Sequence, residues 1–217
     1  MSERRVIVFL KSPRAGEVKT RLAVGTDAPA AAAIYRVLLS RSLAAVRQFP
    51  GVELRFTPDD AEAEVRALGG IQATWLLHAQ GPGDLGARLE RAVEQAFDAG
   101  LEEILVVGAD CPDMGPADLE AGFRALAAHS MVVGPARDGG YWLIGFRRDA
   151  RPVRRWLEGV PWSTDGVLRE TERRCEAEGV SLARLRELQD VDTLDDWREW
   201  LRREAEERSG GPAARWD

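Results

Sequence analysis

Lys11, Arg14, Lys19 and Arg21 are gathered around Pro13 and Gly16 in the segment Lys11-Ser-Pro-Arg-Ala-Gly-Glu-Val-Lys-Thr-Arg-Leu22. The segment follows at once on the apolar run Val6-Ile-Val-Phe-Leu10. A strand that hands over to such a loop can offer backbone N–H groups and several cations to one polyphosphate. Basic surface loops without a ligand are common. Here Lys11 and Lys19 bracket Gly16 at the carboxyl end of a strand, where open α/β sheets bind ligands, and this favours phosphate binding. The Gly-Lys-Ser/Thr ending of a Walker A loop is missing. Lys19 is expected on the solvent side of the loop, so its removal should weaken nucleotide binding and cost little stability.

A second constellation is Val106-Val-Gly-Ala-Asp-Cys-Pro-Asp113, a buried strand followed by two carboxylates. Magnesium takes one or two carboxylates plus substrate phosphate oxygens, so Asp110 reads as a metal ligand. Asp113 reads better as the cap of a helix beginning near Pro116, with metal binding as a weaker alternative. Downstream, Thr193 and Asp196 have capping-box spacing. That leaves Asp190 and Asp192 as free carboxylates, and Asp192 as a candidate second ligand beside Asp110.

Two glycine-rich segments complete the set. Gly83, Asp84 and Gly86 lie in Gly81-Pro-Gly-Asp-Leu-Gly-Ala-Arg88, a turn into a helix that can let a planar base approach the backbone. Asp138, Gly139, Gly140 and Tyr141 lie in Gly134-Pro-Ala-Arg-Asp-Gly-Gly-Tyr-Trp142, which reads either as a hairpin turn or as a close-approach loop for an acceptor. His78 and His129 are isolated. Cys111 has no histidine near it in sequence and reads as a small buried residue.

The elements that must position these groups follow from periodicity. Strands are expected at Val6–Leu10, Val52–Phe56, Ala73–Leu77, Ile104–Val107, Met131–Val133 and Tyr141–Phe146. Helices are expected at Ala30–Arg47 after Asp27, at Asp59–Leu68, Leu85–Ala99 and Pro116–Ala128, and near 163–178 and 193–207. Strand–helix alternation over the first 130 residues implies a parallel sheet with right-handed crossovers.

The 217 residues suit one domain, expected over 1–208, with a nucleotide-binding half at 1–130, an acceptor half at 131–208 and a flexible tail at 209–217. With 36 acids against 30 bases the net charge is -6, so no global basic field for nucleic acid exists. No apolar run approaches the roughly 20 residues of a membrane span. Met1-Ser-Glu-Arg-Arg5 does not read as a signal peptide, and the two cysteines, Cys111 and Cys175, fit a reducing cytoplasm. Self-association is compatible with the sequence.

Several of these motifs occur in order. Val18–Leu22, Gly83–Leu89, Gly108–Pro112, Gly134–Tyr141, Pro161–Thr164 and Asp190–Thr193 together resemble a family of bacterial GT-A-fold transferases with the nucleotide-diphospho-sugar transferase fold. Its members are often labelled glycosyltransferase or selenodomain-associated transferase. More distantly, the layout is similar to phospholactate, molybdenum-cofactor and sugar-acid nucleotidyltransferases. The resemblance implies a Rossmann-like α/β fold, a mostly parallel mixed sheet flanked by helices. It implies phosphate binding by Lys11, Gly16, Lys19 and Arg21, a base near Gly83 to Gly86, and an acceptor near Asp138 to Tyr141. Asp110 and Asp192 would hold Mg2+ or Mn2+, and Lys19 and Asp110 would carry the catalysis.

The expectation is therefore a metal-dependent transferase that takes a nucleotide or nucleotide-sugar donor and a small-molecule acceptor. Glycosyl transfer from an NDP-sugar is favoured by the resemblance. Nucleotidyl transfer with release of pyrophosphate suits the several cations of the first loop. A non-catalytic nucleotide-binding module would lack one metal carboxylate, and Asp110 and Asp192 are both present.

Overall fold

Apolar runs bounded by glycine, proline and aspartate become the strands of a single sheet. The structure, a computed structural model, describes residues 3–209. Among these residues seven strands form: β1 (Arg4–Lys11), β2 (Val52–Thr57), β3 (Leu76–Ala79), β4 (Glu103–Val107), β5 (Met131–Pro135), β6 (Tyr141–Arg147) and β7 (Leu182–Arg184). They pair in the order β3-β2-β1-β4-β6-β5-β7. β3, β2, β1 and β4 run parallel. β6 runs antiparallel to both its neighbours, β4 and β5, and β7 is parallel to β5. The alternation of the first 130 residues thus gives a parallel half-sheet, and the Asp138-Gly139 segment turns the hairpin between β5 and β6.

The helices are α1 (Thr20–Val24), α2 (Ala28–Val46), α3 (Glu62–Arg66), α4 (Leu85–Asp98), α5 (Pro116–Leu126), α6 (Arg154–Leu157), α7 (Val167–Ala177) and α8 (Leu194–Arg208), with one 3-10 turn at Arg148–Ala150. Asp27 caps α2 by accepting from Ala30 N–H, and Thr193 with Asp196 forms the capping box of α8. Side chains alternate across β1, so Val6, Val8 and Leu10 pack with α2 while Ile7 packs with α4. A third cluster, Leu22, Ala31, Leu38, Val191 and Trp200, joins α1, α2 and α8.

Several expectations shift. The third strand forms at Leu76–Ala79 and not at Ala73–Leu77, because Trp75 N–H closes a turn on Gln72 O and the register with β2 begins at Leu76. The helix expected at 59–68 is only α3, since Ala61 N–H turns back to Pro58 O before it can start. α1, α6 and β7 escaped the periodicity, each spanning five residues or fewer. α2, with 19 residues and mean hydropathy 1.2, is long and apolar enough by length and composition to cross a membrane, although Arg36 and Arg41 interrupt its apolar run. Half of it is buried, against the sheet on one side and against α1 and α8 on another, which accounts for its composition. Of the tail expected at 209–217, all but Ser209 lies outside the described residues.

Candidate active site

β1 and β4 are neighbours, so their carboxyl ends deliver Lys11 and Asp110 to the same edge of the sheet. The loop after β1 is fixed at both ends. Lys11 N–H donates to the Tyr35 hydroxyl of α2 at 2.9 Å, and Ser12 Oγ donates to Glu64 of α3 at 2.5 Å. Arg14 binds Glu64 at 2.7 Å and Asp60 at 3.1 Å. Its hydrogen bonds, with that of Ser12, pull the Glu64 carboxyl down to about 2. Arg14 is therefore a loop brace and not one of the free cations that the sequence suggested. Gly16 adopts φ 88°, with open space where a Cβ would stand, so the turn needs glycine for its backbone alone.

At the end of the loop Lys19 adopts φ 47° and ψ 48° and starts α1. Its ammonium lies 2.6 Å from Asp110 Oδ1 and 2.7 Å from Asp192 Oδ1. Those two oxygens are therefore separated by at most the sum of the contacts, about 5.3 Å. Arg21 stands 3.7 Å from Asp192 Oδ2. The Lys19 side chain is 6% exposed, against 48% for Asp110 and 38% for Asp192. The solvent-side position expected for Lys19 is thus overturned: its stem is buried and its head is held between two carboxylates. Burial opposes its charge, but Asp110 and Asp192 outweigh that and hold the ammonium above its ordinary range.

Asp192 is placed by the backbone around it. Val191 N–H donates to Asp110 O at 3.0 Å, tying the two loops together. α8 is anchored behind them, where Trp200 Nε1 and Arg203 bind the Asp113 carboxylate at 2.9 and 2.8 Å. Asp113 is accordingly not the cap of α5, and its carboxylate is engaged by α8. α5 is capped by its own Asp118, which accepts from Gly115 N–H. Asp190 is half-buried. Burial, then Asp138 and Asp192, push its carboxyl up to about 6. Burial, then Asp190 and Asp110, push the Cys111 thiol up, which makes it inert as a nucleophile.

Lys19, Asp110 and Asp192 border a cleft of about 660 Å³, within the size range of small-ligand sites. Lys11, Lys19, Arg21, Arg88, Gln80 and Ser163 give it polar walls, and Phe9, Leu85, Tyr141 and Trp142 give it apolar ones. The structure brings together Lys11, Lys19, Arg21, Asp110, Asp192 and Tyr141. Gly83, Asp84 and Gly86 do not border the cleft. Asp84 caps α4 through Ala87 N–H, and a Cβ on Gly86 would lie 2.6 Å from Leu157 O and 2.7 Å from Trp162 Nε1. Gly86 is thus the seat on which Trp162 packs.

Asp138, Gly139 and Gly140 also lie off the cleft. Asp138 accepts from Gly140 N–H within the hairpin turn, and Gly139 meets the backbone of Asp165. Tyr141 presents its ring. Its hydroxyl is buried beside Thr171 and Arg174 of α7 without a hydrogen bond, and its pKa is raised by that burial.

Sequence reasoning missed Arg88, Gln80 and Ser163. Arg88 sits one turn after the Asp84 cap, a spacing that points back toward the loop the cap closes. Gln80 Nε2 donates to Leu10 O and Arg55 O, which brings its Oε1 to Arg88. Ser163 adopts φ 64°. Among the described residues, Lys19 and Ser163 are the non-glycine positions with positive φ, and both border this cleft. Strain of that kind collects at functional sites.

A family model described as "uncharacterized protein conserved in bacteria (DUF2064)" matches residues 41–164. No curated protein sequence matches the chain. Among solved structures, one from Desulfovibrio desulfuricans G20 described as a "putative nucleotide-diphospho-sugar transferase" is similar with TM-score 0.87 and 30% identity, covering 94% of this chain and 88% of that one. CMP:2-keto-3-deoxy-manno-octonic acid synthetase complexed with CTP is similar with TM-score 0.57 and 14% identity, covering 94% and 99%. The Rv0371c protein of Mycobacterium tuberculosis H37Rv in complex with manganese is similar with TM-score 0.51 and 20% identity, covering 91% and 98%. The last two share the fold alone. The architecture is that of the nucleotide-diphospho-sugar transferases, as the sequence resemblance implied.

Proposed function

Given that the chain belongs to the bacterial family DUF2064, we propose that it is a divalent-metal-dependent transferase with a nucleotide-phosphate donor, acting as a glycosyltransferase on an NDP-sugar. The observation that carries this reading is the convergence of Asp110 and Asp192 on Lys19 in a cleft also bordered by Lys11, Arg21 and Arg88.

Two carboxylates at most about 5.3 Å apart, both open to water, are a donor set suited to a hard divalent cation that completes its shell with phosphate oxygens and water. Asp110 and Asp192 would hold Mg2+ or Mn2+, which when bound supplies Lewis-acid stabilisation of phosphate charge. Lys11, Arg21 and Arg88 meet the diphosphate and stabilise the charge that grows on it as the sugar–phosphate bond breaks. Tyr141 and Trp142 present ring surface to the transferred group, and the Ser163 hydroxyl offers a hydrogen bond at the rim. No protein nucleophile is required, which agrees with the inert Cys111.

Nucleotidyl transfer is the second reading, favoured by the number of cations around the cleft, which suits a triphosphate. There an acceptor phosphate attacks the α-phosphorus of an NTP and pyrophosphate leaves. Incubation with NDP-sugars and, separately, with radiolabelled NTPs and phosphorylated acceptors tests both. Release of a nucleoside diphosphate is the expected result. Pyrophosphate release with no NDP-sugar turnover would overturn the choice.

A further inference from the structure

We infer that the Lys19 ammonium and a divalent cation are alternative occupants of one site between Asp110 and Asp192, and that donor phosphate exchanges them. The inference rests on the donor-binding reading above. Lys19 Nζ is 2.6 and 2.7 Å from the two Oδ1 atoms. A magnesium ion held by the two carboxylates, once their oxygens stand within about 4.2 Å of each other, would take the same space. An ammonium and a divalent ion at contact distance repel strongly in a half-buried site, so both cannot be there together.

Charge and backbone point the same way. With Lys19 between them, Asp110 and Asp192 keep a net charge of only −1, a weak attraction for a free divalent ion. Without it the charge is −2. Lys19 holds its place from a left-handed backbone, φ 47° and ψ 48°, a conformation that costs a non-glycine residue energy and persists only where surrounding contacts hold it. A polyphosphate in the cleft beside Lys11, Arg21 and Arg88 supplies oxygens to replace both carboxylate partners. The ammonium moves onto phosphate, and the vacated carboxylates then attract the metal. The protein without donor is thereby self-neutralised and takes up metal only with its donor.

Manganese binding followed by water-proton relaxation enhancement separates protein-bound Mn2+ from Mn2+ on a small chelator. It is applied to the wild-type chain, Lys19→Met and Lys19→Arg, each with and without inorganic pyrophosphate. Wild type and Lys19→Arg are expected to bind Mn2+ weakly alone and at least tenfold more tightly with pyrophosphate. Lys19→Met is expected to bind Mn2+ at least tenfold more tightly than wild type without pyrophosphate, and Asp110→Asn added to it should abolish the gain. Lys19→Gln, with a neutral polar end, serves if the methionine variant does not fold. Equal Mn2+ affinity of wild type and Lys19→Met without pyrophosphate would overturn the exchange and leave the metal site standing. Absence of protein-bound Mn2+ in every sample would remove the metal site itself, and the exchange with it.

Discussion

Two ion clusters flank β1, and they are charge inverses of each other. On β1 and β2 one carboxylate, Glu53, lies between two guanidinium groups, at 2.5 Å from Arg55 and 3.1 Å from Arg5, and Arg55 also reaches Gln95 of α4. At the carboxyl ends of the strands one ammonium, Lys19, lies between two carboxylates. The first cluster is built on regular strands, with Glu53 2% and Arg55 5% exposed. The second is built on a left-handed residue whose partners stand half in water. Removing a member of a buried cluster strands a charge where nothing can solvate it, whereas water serves an exposed one. The β1–β2 cluster is therefore a fixed part of the fold, and the Lys19 cluster is one whose partners can change. Solvent access and backbone strain, more than the number of ion pairs, distinguish the two clusters.

The contrast breaks most directly at Glu53. Glu53→Ala should lose about 3–5 kcal/mol in urea unfolding by leaving Arg5 and Arg55 uncompensated; a loss below about 1 kcal/mol would put both clusters in one class. Asp110→Asn should reverse the balance. Turnover should fall about 100- to 1,000-fold while unfolding changes by no more than about 1 kcal/mol, read by steady-state kinetics and denaturation on the same sample. Lys19→Ala, titrated calorimetrically with nucleotide in the absence of metal, should lose about tenfold in affinity, or about 1.4 kcal/mol; unchanged affinity would take Lys19 out of the phosphate site.

The smallest effect sharpens the comparison through pH. Asp190 has its carboxyl raised to about 6 in the folded chain, chiefly by burial. Its protonated form therefore supports the fold fully below the ordinary carboxylate range, near pH 4, and that support is lost as pH rises through about 6. Asp190→Asn should stabilise the protein by about 1 kcal/mol at pH 8, after allowance for solvent screening, and leave it unchanged at pH 4. Equal Tm shifts at both values would show that the Asp190 carboxyl is not raised in the folded chain.

How far the site could be read from sequence depended on where each signal lies. Lys19, Asp110 and Asp192 announce themselves by residue type at strand ends and caps, and the strands that carry them are apolar runs with clear limits. What periodicity cannot carry is direction. Lys19 reads as a solvent-side lysine until its left-handed backbone turns it inward. Tyr141 reads as a polar ligand until β6 packs its hydroxyl against α7. Arg14 reads as a free cation until α3 supplies Asp60 and Glu64. Gly86 reads as room for a base, yet its missing Cβ makes room for Trp162, a contact 76 positions away in the chain that no local pattern encodes.

The backbone bond from Val191 to Asp110 has a consequence for how the chain is made. Ribosomes release the amino end first, at about 5–20 residues per second. Asp110 therefore leaves the tunnel some 80 residues, or about 4–16 s, before Asp192, and Lys19 earlier still. Lys19 meets one carboxylate early and the second only when α8 docks on Asp113 and draws residues 190–193 into place. A nascent chain holding the whole sheet still lacks a closed cluster, and translation must run through the last helix before Lys19 gains its second carboxylate.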